Sequence, residues 1–310
     1  FLLYEVGLTF VSPIQIEFKT NNLPTHMENE NEKDNKVHEL NDQYARESLG
    51  YAEVVGDCIE SHLDLTDPKL SERIDFTSTE RVHPDFVTRI PKSMDNVAYG
   101  ADIDYQESQI YFLIRLHSEP ELMSSYWLYS HATKIADQLR PEENRDRNLI
   151  IPICMHSGPE AYPFSTSLFD CVEHPDLARE YKMFECFGGF SLYDCVEYPD
   201  IARQYKIFEE VTLWDLSKFS IDQLLQHGRA GLFQTLCKQG KAGDFRPALQ
   251  KLRAEHIQPL PLGHVYSSAK YIYHRSAPEY AQENLEVFSS FVEDTATKEK
   301  IRLLPNEKAQ

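Results

Sequence analysis

The chain has 310 residues, 41% hydrophobic and 26% charged, enough for one large core or for a core with appendages. No run approaches the ~18 apolar residues that a membrane helix needs, and 50 acidic against 31 basic residues give a net charge of −19, which opposes nonspecific binding to a polyanion such as DNA. The six cysteines form no CxxC pair and sit mostly inside apolar stretches, the usage expected of reduced thiols in a cytoplasmic protein with no membrane partner.

The chain opens "FLLYEVGLTFVSPIQIEFKTNNLPTH" and only then reaches "MENENEKDNKVHEL". The apolar start has neither a basic leader nor a small-residue cleavage site. Translation is therefore expected to begin at Met27, residues 1–26 being an over-extended reading frame, with an edge strand over "LTFVSPIQIEF" as the alternative. The Asn/Glu/Asp/Lys run that follows cannot bury enough apolar surface to fold, so residues 1–37 are set apart as a disordered or over-extended segment.

Two helices are expected next, "NDQYARESLG" from Asn41 and "AEVVGDCIESHL", in which Val54, Val55, Cys58, Ile59 and Leu63 recur at helical spacing. Strands follow around "RIDFTS", "MDNVAYGADI" and "SQIYFLIRLHS", the last two joined by the turn-prone "DIDYQES". "PELMSSYWLYSHATKIADQL" reads as a helix with Pro120 near its first turn and Leu122, Tyr126, Tyr129, Thr133, Ile135 and Ala136 on or near one stripe. "RNLIIPICMHSG" reads as a buried strand; Cys154 and His156 alternate along it but lack two further ligands at a recognisable spacing for zinc.

A tandem duplication comes next. "SLFDCVEHPDLAREYKMFE" (167–185) is repeated 24 residues later as "SLYDCVEYPDIARQYKIFE" (191–209), identical at fourteen of 19 positions. Each unit carries a Pro-Asp helix start, and "FGG" lies between the units as a joint. One unit is expected to belong to the fold and the other to bulge out as an insertion. "EEVTLWDLS" then reads as a strand and "SIDQLLQHGRAGLFQTLCKQ" as one helix capped by Ser220. Beyond a joint at "PLPLG" (259–263), helical patches around Tyr271–Tyr273 and Leu285–Phe291 are expected to pack as an extension of the same domain, with homo-oligomer formation through these helices as the alternative. The order αα-βββ-α-β-(insert)-β-α describes an α/β fold, a mixed sheet flanked by helices.

One feature stands apart. "IYFLIRLHS" reads as a buried strand, yet Arg115 and His117 fall on the same face as Tyr111 and Leu113. The strand end is either simply solvated or the place of a reaction site.

These residues resemble the Rpn family, recombination-promoting nucleases also catalogued as YhgA-like putative transposases, within the PD-(D/E)XK nuclease superfamily. Family members open with a His-Asp-x-x-Phe-Lys helix, and "NDQYARESLGYAEVVGDCIESHLDL" follows that pattern with Asp42 retained, Asn41 for the His and Arg46 for the Lys. The family's Ser-Asp-x-x-Tyr strand opening is met by Ser93, Asp95 and Tyr99 with one residue slipped. Its next strand ends Ile-Glu-His-Gln-Ser; here it ends Ile114, Arg115, Leu116, His117, Ser118. "IPICMHSGPEAYPFS" keeps Pro152, Gly158, Tyr162, Pro163 and Ser165 of a further family motif. The resemblance implies a PD-(D/E)XK restriction-endonuclease-like core over 38–240, containing the duplicated segment 167–209, with a helical C-terminal region over 241–310.

It also implies a DNA endonuclease that uses Mg²⁺, with Asp42, Asp95, Arg115 and His117 at the catalytic positions and Asp95 as a metal ligand. Mg²⁺ takes oxygen ligands and keeps several waters, so two carboxylates anchor it beside a phosphate, where it activates the attacking water. The position of the second carboxylate is held by Arg115, which changes the local charge by two units and offers no lone pair. The expectation is a family member with impaired cleavage, no bound ion and weak or lost DNA binding. Three alternatives stand beside it: an active nuclease whose ligands come from Asp102, Asp104, Glu107, Glu119 or Glu121; a non-catalytic protein-interaction module; and a protein that holds DNA through Arg115 without cutting it.

Overall fold

A computed structural model describes residues 40–41, 43–82, 96–104, 109–117, 119–139, 148–158, 160–180, 182, 186–187, 190–240 and 243–307. The expectations for residues 1–37, Asp42, Asp95, Glu107 and the two glycines of "FGG" lie outside them.

Helix α1 (43–48) and α2 (Ala52–Thr66) come first. All five apolar positions expected to line α2 are buried, together with His62. Asp67 ends α2 and caps the short helix Pro68–Ser71 by accepting from Leu70 N–H at 3.2 Å. Three antiparallel strands follow, β1 (Ile74–Arg81), β2 (Asn96–Ile103) and β3 (Gln109–His117), then α3 (Ser124–Leu139) and β4 (Ile150–His156). The last strand, β5 (Thr212–Asp215), lies beyond the duplicated units. The sheet order is β1-β2-β3-β4-β5; β4 runs parallel to β3, and β5 parallel to β4.

Alternation along the strands produces two layers. Val97, Tyr99, Phe112, Ile114, Ile153 and Trp214 face α1, α2 and the helices after β5, in the larger core. Ala98, Leu113, Ile150 and Cys154 face α3, where Leu128, Ala132, Ile135 and Ala136 cover them. All seven residues of β4 are buried, which accounts for its near-continuous apolar sequence between two parallel neighbours.

Two expectations need correction. The helix placed from Pro120 begins four residues later, because residues 121–123 form a turn in which Ser124 N–H donates to Glu121 O at 3.2 Å. The stripe moves with it: Leu122 is exposed, and the buried side runs through Ser124, Leu128, His131, Ala132, Ile135 and Ala136. The single helix after Ser220 is two, Ile221–Leu225 with the capping box that Ser220 completes, and α4 (Ala230–Gly240). Gly228 breaks it with φ +51°, a conformation open to glycine. The Asp57 carboxylate of α2 holds the break, accepting from Arg229 N–H at 2.6 Å and from its guanidinium at 2.9 and 2.7 Å.

After the short helix Arg246–Lys251 come α5 (Leu262–Arg275), α6 (Pro278–Ser290) and α7 (Thr295–Glu307). Tyr271, Ile272, Leu285, Phe288, Ile301 and Leu304 join the larger core rather than forming one of their own. Polar bonds fasten α5 to α1: Tyr271 OH donates to Asn41 Oδ1 at 2.7 Å, Tyr44 OH pairs with Ser268 Oγ at 2.9 Å, and the Tyr44 and Tyr271 rings stack 4.2 Å apart. No helix among the described residues is long and apolar enough to cross a membrane.

Candidate functional site

The three parallel strands end together. Register places His117 opposite His156 and His156 opposite Asp215, while Arg115, Cys154 and Leu213 form the row before. Both rows face α3, because they share parity with the residues packed beneath it. The carboxyl ends of parallel strands, where loops rather than further ladder take over, are where α/β sheets present chemistry. Here the loop after β4 folds back over them. Tyr162 N–H donates to Asp215 Oδ2 at 3.1 Å, its hydroxyl donates to Glu121 O at 3.1 Å, and its ring meets His156 edge-on at 5.3 Å. The Tyr162 retained in the "IPICMHSGPEAYPFS" motif thus ties three segments together.

Of the four residues expected at catalytic positions, the structure brings two into one place. Arg115 and His117 lie two apart on β3 and share its α3 face. Asp42 and Asp95 lie outside the described residues, although Asn96, which follows Asp95 in the chain, pairs with Arg115. His156 and Asp215 were not anticipated as site residues. Strand register joins them to His117 across 39 and 98 positions, and only the expectation that β4 and β5 run parallel could have suggested it.

Arg115 keeps 13% of its side chain exposed and donates from Nη2 to Glu121 Oε2 at 3.1 Å. Its Nη1 is buried without a hydrogen-bond partner among the described residues. His117 Nε2 contacts Ser124 Oγ at the start of α3. Burial, with the positive Arg115 and with His156 close by, pushes His117 down to about 3, so the ring is neutral at physiological pH. His156 Nε2 faces the Glu160 carbonyl at 3.0 Å and donates to it, while Nδ1 is buried without a hydrogen-bond partner among the described residues. Burial raises the Asp215 carboxyl, but bonds from Ser217 and the Tyr162 backbone outweigh it and hold the group below the usual range. Burial pushes the Cys154 thiol up to about 12 and makes it inert.

This donor set does not suit a divalent cation. Glu121 is engaged by Arg115, and each Asp215 oxygen accepts a backbone N–H, from Tyr162 and from Ser217. Among the described residues no three His, Cys, Asp or Glu side chains converge as metal ligands. Two of the acids weighed as substitutes, Asp102 and Asp104, lie at the other end of the β2–β3 hairpin. Asp102 pairs in register with Gln109, and Asp104 accepts two bonds from Arg73 at 2.8 and 2.7 Å. From Gln109 to Arg115 the strand climbs about 20 Å at ~3.3 Å per residue. Glu121 lies against Arg115, and Glu119 is exposed.

The profile of the family described as "Putative transposase, YhgA-like" matches residues 40–207, more than half of the chain, from α1 to within two residues of the end of the second duplicated unit. No curated protein and no solved structure matches the chain.

Proposed function

The chain belongs to the YhgA-like putative transposase family, and from that premise we propose that it is a nuclease-fold member whose metal-dependent phosphodiester cleavage is impaired at Arg115. The observation that carries this reading is the Arg115–Glu121 ion pair on the face of β3 that also bears His117. A guanidinium there repels a cation, offers it no lone pair and occupies the nearest carboxylate. The helix-strand order of α1 to β4, with β3 paired between an antiparallel and a parallel neighbour, is consistent with a PD-(D/E)XK core.

His117 remains a neutral imidazole able to orient water. A base alone contributes roughly 10²–10⁴-fold, well short of what phosphodiester hydrolysis requires without electrophilic assistance at the phosphate. The net charge of −19 further weakens contact with DNA, so the reading includes weak or lost DNA binding. Of the acids in the alternative of rearranged ligands, Asp102 and Asp104 are engaged at the far end of the β2–β3 hairpin and Glu121 is engaged by Arg115.

Incubation of purified protein with supercoiled plasmid and Mg²⁺ or Mn²⁺ tests the reading. The native chain is expected to show no metal-dependent nicking, and Arg115→Glu to gain it. Nicking by the native chain that disappears in Asp95→Ala would overturn the proposal.

A further inference from the structure

The two duplicated units fold alike. In each, an arginine binds the aspartate nine residues earlier, Arg179 with Asp170 and Arg203 with Asp194. A cysteine Sγ lies 3.7 Å from the carbonyl of the opening serine in both, Cys171 with Ser167 and Cys195 with Ser191. Lys182 and Lys206 both take positive φ, 49° and 47°. Their strand pairing is reciprocal: Ser191, which opens the second unit, pairs with Cys186 after the first, and Ser167, which opens the first, pairs with Glu210 after the second.

Their surroundings nevertheless differ. The second unit is built into the larger core through Tyr193, Val196, Ile201, Ala202, Ile207 and Phe208. The first touches the α3 layer through Leu168, and its Leu177 is 51% exposed where the matching Ile201 is 2% exposed. Units with fourteen of 19 residues in common therefore hold unequal places, and within the units only five positions can distinguish them.

Three of the five are mild apolar or intra-unit exchanges: Phe169 for Tyr193, Leu177 for Ile201, Met183 for Ile207. The Tyr193 hydroxyl donates to Glu209 of its own unit at 2.7 Å. The other two meet the corner between α2 and β1. Gln204 Nε2 donates to Asp67 Oδ2 at 2.6 Å, and the Tyr205 hydroxyl donates to the same oxygen at 3.3 Å. Arg73, held by Asp104, lies 5.9 Å from the centre of the Tyr198 ring and 3.8 Å from Asp200. The first unit has Glu180 in place of Gln204 and His174 in place of Tyr198. Glu180 would set a second carboxylate against the nearly buried Asp67, removing a donor and adding a like charge. His174 would exchange an aromatic face for a weaker partner of the guanidinium.

We propose that Asp67 and Arg73 form a reading corner that admits the second unit to the core and rejects the first, with Asp67–Gln204 as the deciding contact. The corner acts by charge and donor complementarity, since the apolar positions of the two units are interchangeable in size and chemistry.

Hydrogen exchange followed by mass spectrometry on the full chain tests this, because peptides from the two units differ in mass. Gln204→Glu is expected to speed exchange across 191–209 by about tenfold, the loss of one bond to a charged group. Asp67→Asn in the same chain is expected to restore protection, because the amide then donates to the new carboxylate. The combined exchange Tyr193→Phe/Ile201→Leu/Ile207→Met is expected to change protection there by less than about threefold. The proposal is overturned if that triple exchange exposes 191–209 more than Gln204→Glu does, or if Asp67→Asn fails to rescue. A Gln204→Glu chain that does not fold counts against it unless Asp67→Asn restores folding.

Discussion

Replacing Arg115 by Glu should turn a cation-repelling position into a cation-dependent one, and the change can be read without any cleavage assay. Arg115 now sits 3.1 Å from Glu121. Two carboxylates about 4 Å apart repel by roughly 1 kcal/mol in bulk water and roughly 4 kcal/mol at an effective dielectric of ~20. Glu121 is 46% exposed, which places the cost in the lower part of that range. A divalent ion supplied at about 100 times its dissociation constant returns about 2.7 kcal/mol. At ~2.1 cal/mol/K of unfolding entropy per residue, that is an upward shift of about 4 °C in Tm. Thermal unfolding of Arg115→Glu with chelator and with Mg²⁺ or Mn²⁺ should show this rise, and the native chain should show none. The same rise in the native chain, or its absence from Arg115→Glu, would refute the argument that a guanidinium empties this position.

Gly228→Ala should destabilise by about 2–3 kcal/mol in urea unfolding, since its Cβ would stand 2.5 Å from Asp57 Oδ2 at a φ of +51°. Asp57→Ala should cost a similar ~3 kcal/mol by removing the bonds to Arg229, again measured in urea. Acid should weaken the fold. Burial lowers His62 and His117 to about 3 and His131 and His264 to about 4, and it lowers His227 as well. The unfolded chain then binds more protons below pH ~6.5, so stability is full above that pH and falls progressively toward pH 3–4, by up to ~1.4 kcal/mol per pH unit per histidine. Urea midpoints at pH 7.5 and 5.5 would show it, and His62→Gln should flatten the dependence. A chain truncated after Gly240 should fail to fold by circular dichroism, because it removes Tyr271 and Ser268 from α1 and Phe288 and Ile301 from the core.

Sequence periodicity reached as far as local forces reach. The α2 stripe, the five sheet strands, the duplicated units and the Ser220 cap each follow from residues within a turn or two of one another. What escaped was decided at a distance. Gly228 stands in the break between two helices, where Asp57, 171 positions earlier, fills the space a side chain would take and binds Arg229 N–H. Pro120 does not open α3, because the turn after it is held by Arg115 and Tyr162 through Glu121. At the strand ends, Arg115 and His117 were visible as an interruption of an apolar strand, while His156 and Asp215 became their neighbours only through the pairing of β3, β4 and β5.

The duplicated stretch leaves and rejoins the sheet at a single point. Leu168 N–H donates to Glu209 O at 2.7 Å and Val211 N–H to Thr166 O at 3.0 Å, so the chain returns beside the place where it departed. A segment with abutting ends can lengthen or shorten by whole units without shifting any strand against its neighbour. Growth of the coding sequence here, in multiples of 24 codons, is thereby uncoupled from the geometry of β4 and β5, which makes this bridge a position tolerant of genetic expansion.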